Sequence, residues 1–338
     1  EYLDLSDNDL GSLPIDTIQS VFAAVKSSVT ELNLSRNNFG KNITPCKLPR
    51  AFAKITGNLK QLDLSDNDLG NLNPETIQSM FAAIKAPLTH LKLSYNNLQS
   101  YQFNALTSIP DSVTHLDLSS NNLYATDLVT LCRFIPKSVT HLFLRHNNFG
   151  ANKHKLVELL ANLPDSVTYL DLSGNGLAND NDTLKAVQAL AEMKNSVTHL
   201  KLCGNNFTDS SCWPLAKLPP SVTHLDLSGN SKLAINGLKA FKEGVLSFIP
   251  NTVTTLNLSG IGFFFSRVEQ VGAVLLATGK NIIIDGEDDF SVNLRKYLES
   301  NSQQHCSNHL PSSNQSSLFS PKKTSVSRTA ERTLSSLS

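Results

Sequence analysis

Apolar and polar positions alternate along this chain in short bursts that return at a nearly constant interval. The string L-x-L-S-x-N-x-L, with small variations, recurs with its first leucine at Leu3, Leu32, Leu62, Leu91, Leu116, Leu142, Leu170, Leu200, Leu225 and Leu256. The spacings are 29, 30, 29, 25, 26, 28, 30, 25 and 31 residues. Within a burst such as Val113-Thr114-His115-Leu116-Asp117-Leu118 the apolar positions alternate, the period of a strand with one buried face. Leu116 and Leu118 therefore point into a core, while His115, Asp117 and Ser119 point out of it. A last apolar run, Ile282-Ile283-Ile284, keeps the interval once more. Leu3–Lys26 also matches Leu62–Lys85 nearly residue for residue at an offset of 59, so a block of two repeats has been duplicated.

Between bursts the period becomes helical. Pro74–Lys85 opens on Pro and Glu and carries Ile77, Met80, Phe81 and Ile84 on one face. Similar patterns predict helices over Ile15–Val25, Thr126–Phe134, His154–Leu163, Thr183–Met193 and Phe265–Ala277. Connectors such as Pro110-Asp111-Ser112 and Pro164-Asp165-Ser166 lead into the next strand. One such unit cannot bury its apolar face alone, so neighbouring units must stack to make a core.

These residues resemble the leucine-rich-repeat family. The resemblance implies an α/β solenoid over residues 1–290: about ten repeats, a parallel concave sheet, convex helices and a C-terminal cap. It also gives a structural role to Asn8, Asn37, Asn67, Asn96, Asn121, Asn147, Asn175, Asn205 and Asn230. In the family this amide lies inside the turn and serves backbone groups of neighbouring coils. Leaving such a buried group unpaired costs roughly 1–3 kcal/mol.

The repeat breaks at Ile261, where the asparagine should stand, and continues as Gly262-Phe263-Phe264-Phe265. Terminal repeats act as caps, so these rings are expected to cover the end of the core. Glu287-Asp288-Asp289 suits a blunted sheet edge. Residues 291–299 should end the cap. Residues 300–338 are rich in serine and poor in aromatics, and a disordered tail is expected there because little apolar surface offsets its ordering entropy. At the other end the chain opens in mid-repeat at Glu1, so sequence is expected to be missing before residue 1.

Composition narrows the function. The 29 basic and 29 acidic side chains cancel, so nothing global favours nucleic acid or a membrane surface. No run of about twenty apolar residues could span a bilayer. Five cysteines, Cys46, Cys132, Cys203, Cys212 and Cys306, are an odd number without paired spacing. They read as free thiols in a reducing compartment, which favours a cytoplasmic setting.

Chemistry was sought first among the histidines. His90, His115, His141, His199 and His224 share one outward repeat position, and the first three should form a ladder on adjacent strands. Beside them runs a column of Asp63, Asp117, Asp171 and Asp226. These columns suggest zinc binding or a pH response. The simpler reading is that they are consensus residues, each histidine paired with a nearby carboxylate. Metal ligands must converge, whereas a ladder holds its side chains parallel, so no metal is expected. No nucleophile elbow, phosphate loop or zinc-protease motif occurs. No catalytic residues and no cofactor are expected, and the chain does not read as an enzyme.

One repeat departs from the consensus. His141-Leu142-Phe143-Leu144-Arg145-His146 puts Phe143 and Arg145 where other repeats have Asp and Ser. Aromatic residues and Arg are the side chains most enriched at binding hot spots. Lys92 and Tyr95 lie toward one end of the array, Tyr169 and Lys201 toward the other, and Asp117 and Asp171 flank Phe143. The candidate binding residues are therefore Phe143, Arg145, His141, His146, Lys92, Tyr95, Tyr169, Lys201, Asp117 and Asp171. Drift at a single repeat would explain the departure equally well.

The wording SVTHLDLSxNNL with its Pro-Asp-Ser connectors is similar to the leucine-rich-repeat effectors of Legionella, over roughly residues 1–285. The resemblance implies export into a host cell by the Dot/Icm type IV system, with a signal in the polar C-terminal tail. It also implies action in host cytoplasm by binding a host protein or another effector, as a monomer. Two alternatives stand beside it. A eukaryotic-type cytosolic leucine-rich-repeat regulator or inhibitor should alternate 28- and 29-residue repeats more evenly. A bacterial ubiquitin ligase would need a catalytic domain after the repeats, and this chain would be its recognition part only.

Overall fold

The computed structural model describes residues 1–41, 45–123, 127–178, 189–263 and 267–307. Among these, eleven three-residue strands form one sheet: β1 (Tyr2–Asp4), β2 (Glu31–Asn33), β3 (Gln61–Asp63), β4 (His90–Lys92), β5 (His115–Asp117), β6 (His141–Phe143), β7 (Tyr169–Asp171), β8 (His199–Lys201), β9 (His224–Asp226), β10 (Thr255–Asn257) and β11 (Asn281–Ile283). Every pair of neighbours is parallel, and spatial order follows chain order. Register sets the central leucines side by side, as Leu91, Leu116 and Leu142. Those leucines and the ones two residues on, such as Leu118 and Leu144, are buried. A slip of one residue would turn the whole set to solvent, which is why so short a strand holds its place.

Helices lie on the other side of the core. Pro74–Ala83 starts with Asn73 accepting from the Thr76 N–H at 2.8 Å and buries Ile77, Met80 and Phe81. Ile15–Ala23, Leu128–Phe134, Lys153–Asn162 and Val268–Leu276 occupy four further predicted places. Of the predicted helix Thr183–Met193, residues 183–188 lie outside the described residues, as do Thr126 and Phe265 of two others. The two 25-residue coils cross instead by 3₁₀ turns, Ser100–Ser108 in one and Asp209–Ser211 with Trp213–Lys217 in the other. A 3₁₀ helix rises about 2.0 Å per residue against about 1.5 Å for an α-helix, so it spans the same distance with fewer residues.

Asparagines join coil to coil. Asn121 Oδ1 accepts from the backbone N–H of Asn96 at 3.0 Å and Leu98 at 3.1 Å, both in the preceding coil. Its Nδ2 donates to Leu93 O and Leu118 O at 3.0 Å and to Ser119 O at 3.1 Å. Asn147 in turn accepts from Asn121 N–H at 2.9 Å. From Asn37 to Asn230 all these side chains are buried. Asn8 is exposed and departs from this pattern, because no earlier coil stands in the structure for it to serve. Its own backbone N–H donates to Asn37 Oδ1 at 3.2 Å.

The far end is closed by one ring and one helix. Phe263 is buried, edge-on to Phe241 with centroids 5.2 Å apart and tilted to Phe290 at 6.0 Å. Phe264 and Phe265 lie outside the described residues. The helix Asp289–Ser307 buries Leu294 and Leu298 and sets Tyr297 so close to Gly272 that a Cβ there would overlap its ring. Arg295 donates to Ile284 O at 2.8 Å and Gly286 O at 3.0 Å. This helix runs through residue 300 to Ser307, past the expected end of the cap at 299. A few apolar anchors hold a mostly polar helix, so composition alone hid it; residues 308–338 lie outside the described residues. The acidic run also has a different role. Asp288 Oδ1 accepts from the Ser291 N–H at 2.9 Å, so it caps the helix rather than blunting a sheet edge.

The open face of the sheet as candidate functional site

The outward column before the first leucine forms a stack of rings across six strands. His90–His115, His115–His141 and His199–His224 each stack with centroids 4.0 Å apart. Tyr169 bridges the two groups, 5.1 Å from His141 and 6.1 Å from His199. Each imidazole is fixed by the threonine before it: Thr114 Oγ1 lies 2.9 Å from His115 Nδ1, and Thr89, Thr140, Thr198 and Thr223 hold their neighbours the same way. The Thr89 carbonyl near Thr114 Oγ1 already accepts two N–H donors, Thr114 and His115, at 3.0 Å. Thr114 Oγ1 also donates to that carbonyl at 3.3 Å, so the role of Nδ1 as donor or acceptor follows the tautomer of the ring. The expected carboxylate partners are replaced by threonines.

Stacking has an electrostatic consequence. Burial, followed by the charges of His90 and His141, pushes His115 down to about 4. Burial likewise lowers His90, His141 and His199. His90, His115, His141 and His199 are thus neutral rings at neutral pH, and a proton added to one of them repels the next. Among the described residues no three His, Cys, Asp or Glu side chains converge as metal ligands. Of the cysteines described, Cys132 and Cys212 are buried, and burial pushes the Cys132 thiol up to about 12.

The next outward column carries the charges. Lys92 Nζ sits 3.2 Å from Asp63, and Lys201 Nζ 3.9 Å from Asp226 and 5.8 Å from the Tyr169 ring centre. Arg145 Nε binds Asp171 Oδ2 at 2.6 Å, and its Cζ lies over Phe143, 5.3 Å from the ring centre. Phe143 also meets Tyr169 at 5.4 Å. Asp171, expected among the partner-facing residues, is only 1% exposed. Arg145 above it and bonds from the Ser173 N–H and hydroxyl occupy it, so it positions Arg145 instead.

Tyr95 and His146 stand apart, on the turn that leaves each strand. Both have left-handed backbones, φ 57° and 53°, and Tyr95 is 61% exposed. The His146 ring lies where a Cβ on Gly174 would be. Phe143, Arg145, Lys92 and Asp117, with His90 and His115, line a depression of about 420 Å³. Tyr169 and Lys201, with His199 and His224, line a second of about 180 Å³. His141, His146 and Tyr95 line neither. The threonines are functional neighbours that a side-chain search overlooks, although the repeated dipeptide Thr-His in SVTHL was the available signal.

Comparison with known proteins agrees with this architecture. Leucine-rich-repeat family models match residues 58–80 and residues 25–42. No curated protein matches the chain. The crystal structure of the leucine-rich repeat-containing protein LegL7 from Legionella pneumophila superposes with a TM-score of 0.73 at 26% identity, covering 88% of this chain and 98% of that one. A weaker likeness, TM-score 0.45 at 14% identity, is to the structure of the yeast Rad7 and Elc1 complex, covering 81% of this chain and 66% of that one. No helix among the described residues is long and apolar enough to cross a membrane. Eleven parallel strands in chain order, with buried asparagines from Asn37 to Asn230 tying coil to coil, make this chain a leucine-rich-repeat solenoid, the architecture of a protein-interaction scaffold.

Proposed function

We propose that the chain is a bacterial effector that binds a host protein, or another effector, on the open face of its sheet as a monomer. The observation that carries this reading is Phe143, an aromatic ring held on an outward strand position by Arg145 and Tyr169. Folding has no use for a ring there, since Asp117 and Asp171 occupy the same column in the neighbouring coils. The likeness to LegL7 and the repeat wording support a Legionella-type origin and delivery to host cytoplasm. Lys92, Lys201, His141, His146 and Tyr95 supply polar surroundings for the contact.

Affinity capture from host lysate with the full chain, followed by mass spectrometry, tests the reading. Phe143→Ala should lower capture of the principal partner by about tenfold or more, the typical loss for a central anchor being about 2 kcal/mol. Capture equal to wild type would move the interface elsewhere. Arg145→Ala is a poor probe on its own, because it strands the buried Asp171 charge and destabilises the solenoid. Arg145→Ala combined with Asp171→Asn avoids that.

A further inference from the structure

Five aspartates occupy the charged column on the open face; three are paired with a cation, and Asp4 at its first strand accepts from the Tyr2 hydroxyl instead. Asp63 has Lys92, Asp171 has Arg145 and Asp226 has Lys201. Asp117 has no cation within ion-pair distance among the described residues. Lys92 is its partner in the strand register, yet turns away to Asp63. Arg145, which also senses Asp117 at longer range, is bonded to Asp171 on the far side. Both neighbouring cations thus point outward from Asp117, and the depression of about 420 Å³ lies between them.

The fold does not need the charge. Asp117 Oδ1 accepts from the Ser119 N–H at 2.9 Å, and that is its one hydrogen bond among the described residues. At the same column Asn33 and Asn257 accept the equivalent bond from Ser35 and Ser259 at 3.0 Å. An amide serves the turn as well as a carboxylate does. A half-buried negative charge with one oxygen uncommitted, walled by the Phe143 ring and the His115 stack, is suited to a cation carried on an apolar stem.

We propose that the depression around Asp117 is a subsite for a basic side chain of the partner, an arginine, paired with Asp117 and packed against Phe143. This rests on the partner-binding reading above and specifies its chemistry. Arginine fits because its planar guanidinium forms charge-assisted hydrogen bonds and stacks on aromatic rings at once.

The test is an NMR titration of the labelled full chain with N-acetyl-L-arginine methylamide and with its norleucine and glutamate counterparts. The arginine compound should shift the Phe143 and His115 signals saturably, and the other two should bind at least about tenfold more weakly. Asp117→Asn should weaken arginine binding by the same factor without changing the melting temperature, while Asp4→Ala, far along the same face, should leave it intact. Equal binding by wild type and Asp117→Asn, or equal binding of norleucine, would overturn the subsite. The two readings separate cleanly. If Phe143→Ala loses the captured partner and Asp117→Asn binds both partner and arginine normally, the interface stands and the subsite falls. If Asp117→Asn loses arginine while Phe143→Ala captures normally, the subsite stands and the Phe143-centred interface falls.

Discussion

Replacing Asn121 with alanine should be among the most damaging single changes this solenoid can suffer. The side chain is fully buried and makes five hydrogen bonds: two accepted from the N–H groups of Asn96 and Leu98, three donated to carbonyls of Leu93, Leu118 and Ser119. Leu118 O also accepts from Asn147 Nδ2 at 3.1 Å, so that carbonyl keeps a partner. The two N–H groups have no substitute. Each unpaired buried donor costs about 1–3 kcal/mol, so the loss should be about 3–5 kcal/mol once the orphaned carbonyls are included. That is a third or more of the stability of an ordinary domain. Asn8→Ala provides the contrast, since its exposed Nδ2 makes only a bond to Ser6 O at 2.8 Å and should cost under about 0.5 kcal/mol. Urea unfolding of both variants, followed by circular dichroism, measures the difference. If Asn121→Ala lay within 1 kcal/mol of Asn8→Ala, the asparagine ladder would not be what fastens the coils.

Two further outcomes follow from the same geometry, and a third from the proposed effector role. His90, His115, His141 and His199 should make stability pH-dependent: their folded values are depressed, so their contribution is complete above about pH 6.5 and is lost as pH falls toward about 4, where His115 titrates. Discounting for partial exposure, His115 should account for about 1–2 kcal/mol, and His115→Gln should flatten urea midpoints measured across that window; an unchanged slope would rule the stack out as its source. Gly174→Ala, at φ 67° and against the His146 ring, should cost about 1 kcal/mol or more in a thermal melt, and should leave that cost largely in place when His146 is also replaced by alanine, because the backbone strain remains. Deleting residues 310–338 should abolish translocation of a reporter fusion into host cells; a fusion that still enters would refute a C-terminal export signal.

Most of the fold was legible because one pattern was written ten times. The strand period, the asparagine column and the helix between them each repeat, so an error in one coil is corrected by the next. The helix Asp289–Ser307 lacks that protection. It occurs once, and its anchors Leu294 and Leu298 are outnumbered by polar residues. At the site, outward direction could be read from alternation, so Phe143, Lys92 and His115 were found. Asp171 could not be, because its burial depends on Arg145 reaching across from a strand 26 residues earlier. Pairing between columns is invisible to a reading that treats each repeat alone, and for the same reason the solitude of Asp117 emerges only from the directions its neighbours take.

The turn after each strand offers an independent view of where recognition is concentrated. The residue before each asparagine of the column has a left-handed backbone throughout, with φ between 53° and 67° from Asp7 to Gly229, and Gly260 before Ile261 keeps it at 66°. Coils following β7 to β10 place glycine there: Gly174, Gly204, Gly229 and Gly260. Coils following β1 to β6 place Asp7, Arg36, Asp66, Tyr95, Ser120 and His146. A side chain in this conformation costs roughly 1 kcal/mol relative to glycine. The later coils show that the turn forms without one, so the earlier coils carry strained side chains that folding does not require. The uncompensated Asp117 and the Phe143 ring lie in that same half of the sheet. Two columns with separate physical constraints, one of backbone strain over β1 to β6 and one of charge and ring on β5 and β6, thus depart from the economical choice in the same half of the sheet. The partner proposed above would meet both on β3 to β6, whereas drift at one repeat bears on Phe143 alone.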